Sequence, residues 1–350
     1  KTKNVDSIYR LSPTQQGILF HSLDAPSSGV YQEQIVLNLR GDLNVAAFET
    51  AWRKVVDRYS ILRTFFVWEN RPTPLQVVLK QVNLPWDNLD WCHFAIAEQQ
   101  KKLSDFLLTQ REQGFQFNQA PLMECTLIKL SEDSYKLIWN HHHLLIDGWC
   151  LSIIFKDVLT FYEAEARGEI CELPKPYLYS DYIAWLYKQD HIAALNFWQQ
   201  ILQGFSTPTP LRVNKSNIQI QHQQSSDYKK LELRLPQEVN LKLQSVAQQH
   251  RVTLSTVVQA AWALLLSRYS GEKDVVFGVT VSGRPANLPG VEQMVGLFVN
   301  TLPLRLQISP QQELIPWLQQ IQQLMLELQE RSYTPLFDIQ AKSEVRGGIS

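Results

Sequence analysis

The sequence predicts an α/β chain large enough for two domains or subdomains, and three observations carry this. Its 350 residues exceed the size at which one hydrophobic core usually keeps growing. Segments with helical spacing of apolar residues alternate with short β-like runs along the chain. A short pattern also echoes itself: Ala51-Trp52 and Arg58-Tyr59-Ser60 recur at identical spacing as Ala261-Trp262 and Arg268-Tyr269-Ser270, each copy ending a helix that leads toward a strand. The echo is either a chance likeness of two amphipathic helices or the trace of two related α/β subdomains. An active site between such halves would suit two large substrates.

Taken in order, Ser12 caps a short helix carrying Ile18 and Leu19, and QIVLNL (34–39) reads as a strand ending at Gly41-Asp42. Asn44 is an N-cap for a helix whose apolar face is Val45, Phe48, Trp52, Val55, Val56 and Tyr59. A second amphipathic helix covers residues 98–112, and TLIKL with YKLIWNHHH reads as a strand pair joined by the turn Ser131-Glu132-Asp133-Ser134. Gly148 to Arg167 reads as a helix burying Ile153, Ile154, Val158 and Phe161. The Pro-bearing segment LPKPYLYSDY (173–182) precedes an aromatic-rich helix, and the polar stretch 206–230 reads as a linker or surface loop. Residues 253–270 form another capped helix, and DVVFGVTVS (274–282), apolar on both faces, reads as a buried strand.

With 33 basic and 34 acidic residues and no long run of either sign, the chain lacks the electrostatic footprint of a protein that binds nucleic acid or anionic membrane. Cys92, Cys125, Cys150 and Cys171 match neither a zinc knuckle nor a CxxC redox pair and read as reduced thiols of a cytosolic protein. The opening KTKNVDSIYRLSPTQQ has no apolar signal core, and no run is long enough to span a bilayer. The expectation is a soluble, cytoplasmic protein.

The chemistry concentrates in NHHHLLIDGWC, residues 140–150, which holds three of the chain's 8 histidines. On a strand, Tyr135, Leu137, Trp139, His141 and His143 share one face while Lys136, Ile138, Asn140 and His142 share the other, so His142 and His143 have different jobs. A metal site is disfavoured, because the step from His143 to Asp147 suits a helix whereas this segment leaves a strand and turns. A structural reading has Asp147 capping the next helix over buried histidines. A catalytic reading has a neutral imidazole acting on a proton of a bound nucleophile, with Asp147 fixing the turn and Gly148 allowing close backbone approach. A buried Asp147 needs a partner, and Arg63, in the apolar segment ILRTFF, is the cation offered for it.

These residues resemble a family. HHLLIDG fits the HHxxxDG signature of the condensation domains of nonribosomal peptide synthetases, with His142, His143, Asp147 and Gly148 in the signature positions. LSPTQQGILFH (11–21), RYSILRTFF (58–66), YSDYIAWL (179–186), SGRP (282–285) with VGLFVNTLPLR (295–305), and YTPLFDIQ (333–340) resemble further motifs of that family in order. The resemblance implies a chloramphenicol-acetyltransferase-like α/β fold: two similar subdomains, here divided as 1–175 and 176–350, in a V-shaped pseudo-dimer with the active site in a tunnel between them.

It also implies the reaction, attack of the α-amine of an acceptor aminoacyl thioester on the thioester carbonyl of a donor. Both substrates ride on the 4'-phosphopantetheine arms of peptidyl carrier proteins, upstream donor and downstream acceptor, with an adenylation domain next door in the same chain. No cofactor is held by the domain itself. The family makes His143 catalytic, His142 structural, and Asp147 with Arg63 the supporting ion pair; Trp149, Ser282, Arg284 and Asn300 occupy motif positions near the tunnel. The wording of LSPTQQGILFH, HHLLIDGWC and MVGLFVNT is most similar to domains that accept a donor ending in a D-residue.

Three features depart from the family pattern. Tyr59 replaces the histidine of RHxxLRT, His141 precedes the histidine pair, and the chain ends at VRGGIS, ahead of the final strand and helices the family carries, so a truncated second subdomain is expected. Alternatives on the same signature are an epimerization domain, which would abstract an α-proton, and a non-catalytic partner-recruiting module, which normally has a degraded signature. A coenzyme A-dependent small-molecule acyltransferase is disfavoured by the synthetase-type motifs at both ends.

Overall fold

The computed structural model describes residues 4–26, 28–210 and 231–345, so most of the stretch expected as a linker, residues 211–230, lies outside the described residues. In chain order the elements are β1 (Val5–Arg10), α1 (Pro13–Asp24), β2 (Gln32–Arg40), α2 (Val45–Arg58), a 3-10 turn (Ser60–Arg63), β3 (Thr64–Val67), β4 (Leu75–Leu79), β5 (Trp86–Asp90), α3 (Ile96–Gln113), β6 (Met123–Ser131), β7 (Ser134–His142), α4 (Cys150–Arg167), α5 (Tyr179–Leu186), α6 (His191–Leu202), α7 (Gln237–Gln249), α8 (Leu254–Ser270), β8 (Asp274–Val281), a 3-10 turn (Val291–Gln293), β9 (Asn300–Gln307), α9 (Leu314–Gln329) and α10 (Leu336–Lys342). They fall into two compact units, one running to Lys188 and including Ala286–Phe298, the other comprising Gln189–Pro285 and Val299 onward. The sequence-based division at 175/176 thus differs in two ways. The boundary falls after α5, and a segment from the second half belongs to the first unit. The cause is packing: Tyr179 and Tyr182 of α5 lie against Phe298, with ring centroids 5.4 and 4.5 Å away.

In the first unit, β2-β7-β6-β5 form one sheet and β1-β4-β3 another. β7 is antiparallel to both β2 and β6, while β5 and β6 run parallel. The two faces of β7 pack against different helices, as its alternation dictates. Trp139 meets Trp52 of α2 at 5.0 Å and Phe155 of α4 at 5.7 Å. Ile138 instead joins Trp91, Ile128 and the α3 residues Leu103, Phe106 and Leu107. Local signals explain the helix starts. Ser12 and Gln15 form a reciprocal capping box on α1, and the Asn44 side chain accepts from Ala47 N at 3.1 Å at the start of α2.

In the second unit, β8 and β9 pair antiparallel over a core that includes Trp198, Leu202, Ala263, Leu266, Leu304 and Ile321. Arg305 of β9 grips Asp274 of β8 at 2.6 Å and donates to the carbonyls of Ile201 and Gln203 at the end of α6. The aromatic-rich helix expected after residue 182 is two helices, α5 and α6, and α4 begins at Cys150 rather than Gly148. β8 is buried at Val275, Val276, Val279 and Val281 but exposes Gly278 and Thr280, since among the described residues it pairs only with β9.

The sequence echo is one of helix-to-strand placement and not of packing. Trp52 is 0% exposed and Trp262 43%. Tyr59 is buried and donates to Asp157 at 2.6 Å, whereas Tyr269 lies on the surface.

Candidate active site

β7 ends at His142, paired with Gln32 of β2, and its next residues turn away from the sheet. The turn is pinned through the backbone: His142 N donates to Leu122 O at 3.1 Å, His143 N to Tyr31 O at 2.8 Å, and Leu145 N to His142 O at 3.1 Å. From α1, the fully buried Gln15 donates to Leu144 O at 3.1 Å while its carbonyl accepts from Ser12 N at 2.9 Å. One side chain therefore completes the cap of α1 and holds the histidine turn.

The three histidines have three environments. His141 is buried with its ring 4.5 Å from that of Trp139. His142, 3% exposed, lies 4.9 Å from the Phe117 ring and accepts from Leu144 N on Nδ1 at 3.2 Å. Its Nε2 stands 3.5 Å from Ser22 Oγ, and that hydroxyl in turn donates to Ile18 O at 2.7 Å. This network assigns His142 the neutral Nε2–H tautomer. Burial, with the neighbouring His143 adding to it, pushes both His141 and His142 down to about 3. His143 lies just beyond the strand and is half-buried. Its Nδ1 is buried without a hydrogen-bond partner, and its ring faces Tyr31 edge-on at 6.5 Å. His142 and His143 thus differ in burial and in hydrogen bonding.

Asp147 is buried, and its carboxylate organises the turn into α4: Oδ1 accepts from Trp149 N at 3.2 Å and Oδ2 from Phe298 N at 2.9 Å. The expected Arg63–Asp147 ion pair is corrected. Arg63 is buried, but its guanidinium donates to the carbonyls of Leu79 and Lys80. A buried arginine needs acceptors, and the carbonyls of the last residue of β4 and the one after it supply them. At Gly148 a Cβ would meet open space within the protein.

Trp149, 49% exposed, donates from its indole to Glu292 O at 3.0 Å. In the second unit, Ser282 is exposed and its Oγ accepts from Arg284 N at 3.5 Å. The Asn300 amide is occupied by the carbonyls of Ser332 and Thr334, each at 2.8 Å, so it fastens the start of β9 to the loop before α10.

Sequence reasoning missed Gln15, Tyr31 and Cys150. The thiol of Cys150 contacts Gly296 O at 3.1 Å, beside the Asp147–Phe298 bond. For Gln15 a signal existed, the S-x-x-Q spacing of a capping box; for the other two there was none. Among the described residues, no group of three or more His, Cys, Asp or Glu converges as a metal site would, and no helix is long and apolar enough to cross a membrane.

The family described as Condensation domain matches residues 5–349. A linear gramicidin synthase protein of Brevibacillus parabrevis is 43% identical over 347 residues, covering 99% of this chain and 7% of that protein. Surfactin synthase subunit 3 of Bacillus subtilis (strain 168) is 34% identical, covering 97% of this chain and 26% of that protein. The chain thus spans a small part of the relatives it matches. Among solved structures, the starter condensation domain of rhizomide synthetase superposes with a TM-score of 0.80 at 23% identity, covering 98% of this chain and 76% of that one. The first condensation domain of the calcium-dependent antibiotic synthetase, solved with a substrate analogue, gives 0.76 at 18% identity, covering 99% and 80%. The fold is the chloramphenicol-acetyltransferase-like α/β class.

Proposed function

We propose, since this chain belongs to the condensation-domain family, that it forms an amide bond between two carrier-bound substrates. The α-amine of an acceptor aminoacyl thioester attacks the thioester carbonyl of a donor peptidyl or aminoacyl thioester. The C–N bond forms, the C–S bond breaks, and the proton lost by the amine ends on the departing pantetheine thiol. Both arms are 4'-phosphopantetheine groups of carrier proteins, an upstream donor and a downstream acceptor, with an adenylation domain as neighbour in a cytoplasmic synthetase.

One observation carries the residue assignment. Of the three adjacent histidines only His143 is partly open. His141 and His142 are buried and held near 3, so neither takes up a proton close to neutral pH. With Nδ1 of His143 buried, Nε2 is the atom that receives or holds the amine. His142 keeps the turn in register through Leu144 N and Ser22. A thioester is already activated, so alignment of amine and carbonyl supplies much of the acceleration. Asp147 supports the turn that carries His143 through its bonds to Trp149 N and Phe298 N, and the motif resemblance proposes Trp149, Ser282, Arg284 and Asn300 as substrate contacts and Arg63 as structural support. Gly148 leaves room beside the turn. The overall wording of the motifs favours a donor ending in a D-residue.

The test is to load defined donor and acceptor residues on two carrier proteins, add the synthetase protein that carries this chain, and weigh the thioester on the acceptor carrier. A product heavier by the donor residue, formed faster with the D-donor, supports the proposal. Epimerised donor without elongation would point to the epimerization alternative, and unreacted substrates on both loaded carriers to a recruiting role.

A further inference from the structure

We propose that Tyr31 is a positioning residue for His143, fixing the plane in which its imidazole meets the substrate amine. The inference rests on the reading that His143 acts on that amine. An imidazole working through one nitrogen is ordinarily oriented by a hydrogen bond from the other to a carboxylate or carbonyl. His143 lacks this device, since its Nδ1 is buried without a hydrogen-bond partner. Orientation of the ring therefore falls to the backbone and to packing, and both lead to Tyr31.

The backbone N–H of His143 donates to Tyr31 O at 2.8 Å, which places the Cα from which the imidazole hangs. The Tyr31 ring then stands edge-on to the imidazole, centroids 6.5 Å apart and planes at 81°. It lies as far from His142, at 6.5 Å and 55°, and so spans the pair. The phenol is held at its far end as well. Its hydroxyl is 3.3 Å from Nδ1 of His21, in the last turn of α1, and the two rings meet edge-on at 5.6 Å.

Tyr31 holds this place in an unfavourable backbone conformation. Its φ is +68°, in the left-handed region, where a bulky side chain is an outlier and glycine or asparagine is at ease. A turn needed only to enter β2 would be formed better by glycine, as at Gly29, φ +61°, two residues earlier. A tyrosine held in that conformation points to a use for the ring, since strained residues concentrate where function over-determines them. The bend carries the carbonyl to His143 N and the phenol across the imidazole in one residue.

Three variants separate the parts. Tyr31→Phe keeps the ring and loses the His21 contact, Tyr31→Leu removes the aromatic face, and Tyr31→Gly removes the face while relieving the backbone. In the full chain supplied with loaded carriers, kcat should fall about 10- to 100-fold for Tyr31→Leu and Tyr31→Gly. KM for the acceptor carrier should stay within about twofold, and Tyr31→Phe should fall only about threefold. Tyr31→Gly should unfold at the same urea concentration as wild type or higher, which separates lost rate from lost fold.

A second readout needs no turnover. In protein labelled at histidine, the His143 ring signals, identified with His143→Gln, carry the ring-current shift of an edge-on phenol. They should move in the Leu and Gly variants and stay in place in Phe. Should wild type form no amide bond, the functional reading fails while the ring shifts still decide the contact. Wild-type kcat in Tyr31→Leu, or unmoved His143 signals in that variant, would overturn the inference.

Discussion

Oδ2 of Asp147 accepts the backbone N–H of Phe298 at 2.9 Å, joining positions 151 residues apart. Around this bond, Cys150 Sγ meets Gly296 O, and the Trp149 indole donates to Glu292 O. The Asp-Gly turn after the histidines is thus fastened to the segment 292–298, and that segment belongs to the first unit for this reason among others.

Replacing Asp147 with alanine removes the acceptor for a buried N–H and the contact to Trp149 N within the turn. Stability should drop by about 1–3 kcal/mol, read as a lower urea midpoint at unchanged m-value. A midpoint equal to wild type would show that the bond to Phe298 contributes nothing.

Two glycines near this junction should respond oppositely to a methyl group. At Gly296 a Cβ would collide with the Tyr179 ring, while at Gly148 it meets open space. Gly296→Ala should cost about 1–3 kcal/mol through overpacking, and Gly148→Ala should stay within about 0.5 kcal/mol of wild type. Thermal melts of the two variants side by side check the contrast; equal melting points would contradict it.

Arg63 and Asp147 bond to separate sets of groups, the arginine donating to Leu79 O and Lys80 O and the aspartate accepting from Trp149 N and Phe298 N. Arg63→Met and Asp147→Ala should each destabilise, and the double variant should be additive within about 0.5 kcal/mol. A double-mutant cycle with coupling well above that value would reinstate the ion pair.

The buried histidines predict an acid limb in the stability curve. His141 and His142 are held at about 3 in the fold by desolvation, against an ordinary 6.5. Above 6.5 neither the folded nor the unfolded chain protonates them, and nothing is lost. As pH falls from 6.5 toward 3, the unfolded chain binds protons that the fold excludes, so stability falls, by up to about 1.4 kcal/mol per pH unit for each histidine. Urea unfolding between about pH 7 and pH 4.5 measures the slope, and His142→Gln should flatten it by one histidine's share. An unchanged slope in that variant would show that His142 is not held neutral.

Much of this was legible from local pattern. The cap at Ser12, the α2 stripe, the β6–β7 pair and the opposite faces of Trp139 and Ile138 follow from periods of 3.6 and 2 that any window of the chain displays. What escaped reading was long-range and carried by backbone. Phe298 offers Asp147 only its N–H, and Leu79 and Lys80 offer Arg63 only carbonyls; every residue but proline has both groups, so no letter marks them. The pairing of Arg63 with Asp147 rested on charge and on the family resemblance, and neither marks the backbone carbonyls that the arginine takes instead. Tyr31 is likewise silent, because its φ is imposed by tertiary structure against its own preference. The echoed Trp52 and Trp262 show the reverse limit, one spacing serving a core position and a surface one.

The most direct measurement compares single-turnover amide formation, by mass spectrometry of the acceptor carrier, for wild type, His143→Ala and His142→Ala, with urea midpoints taken on each. If His143 acts on the amine, His143→Ala keeps its midpoint and loses about 100-fold or more in rate, whereas His142→Ala loses rate only alongside stability. A His143→Ala protein that folds and condenses at the wild-type rate would contradict the account.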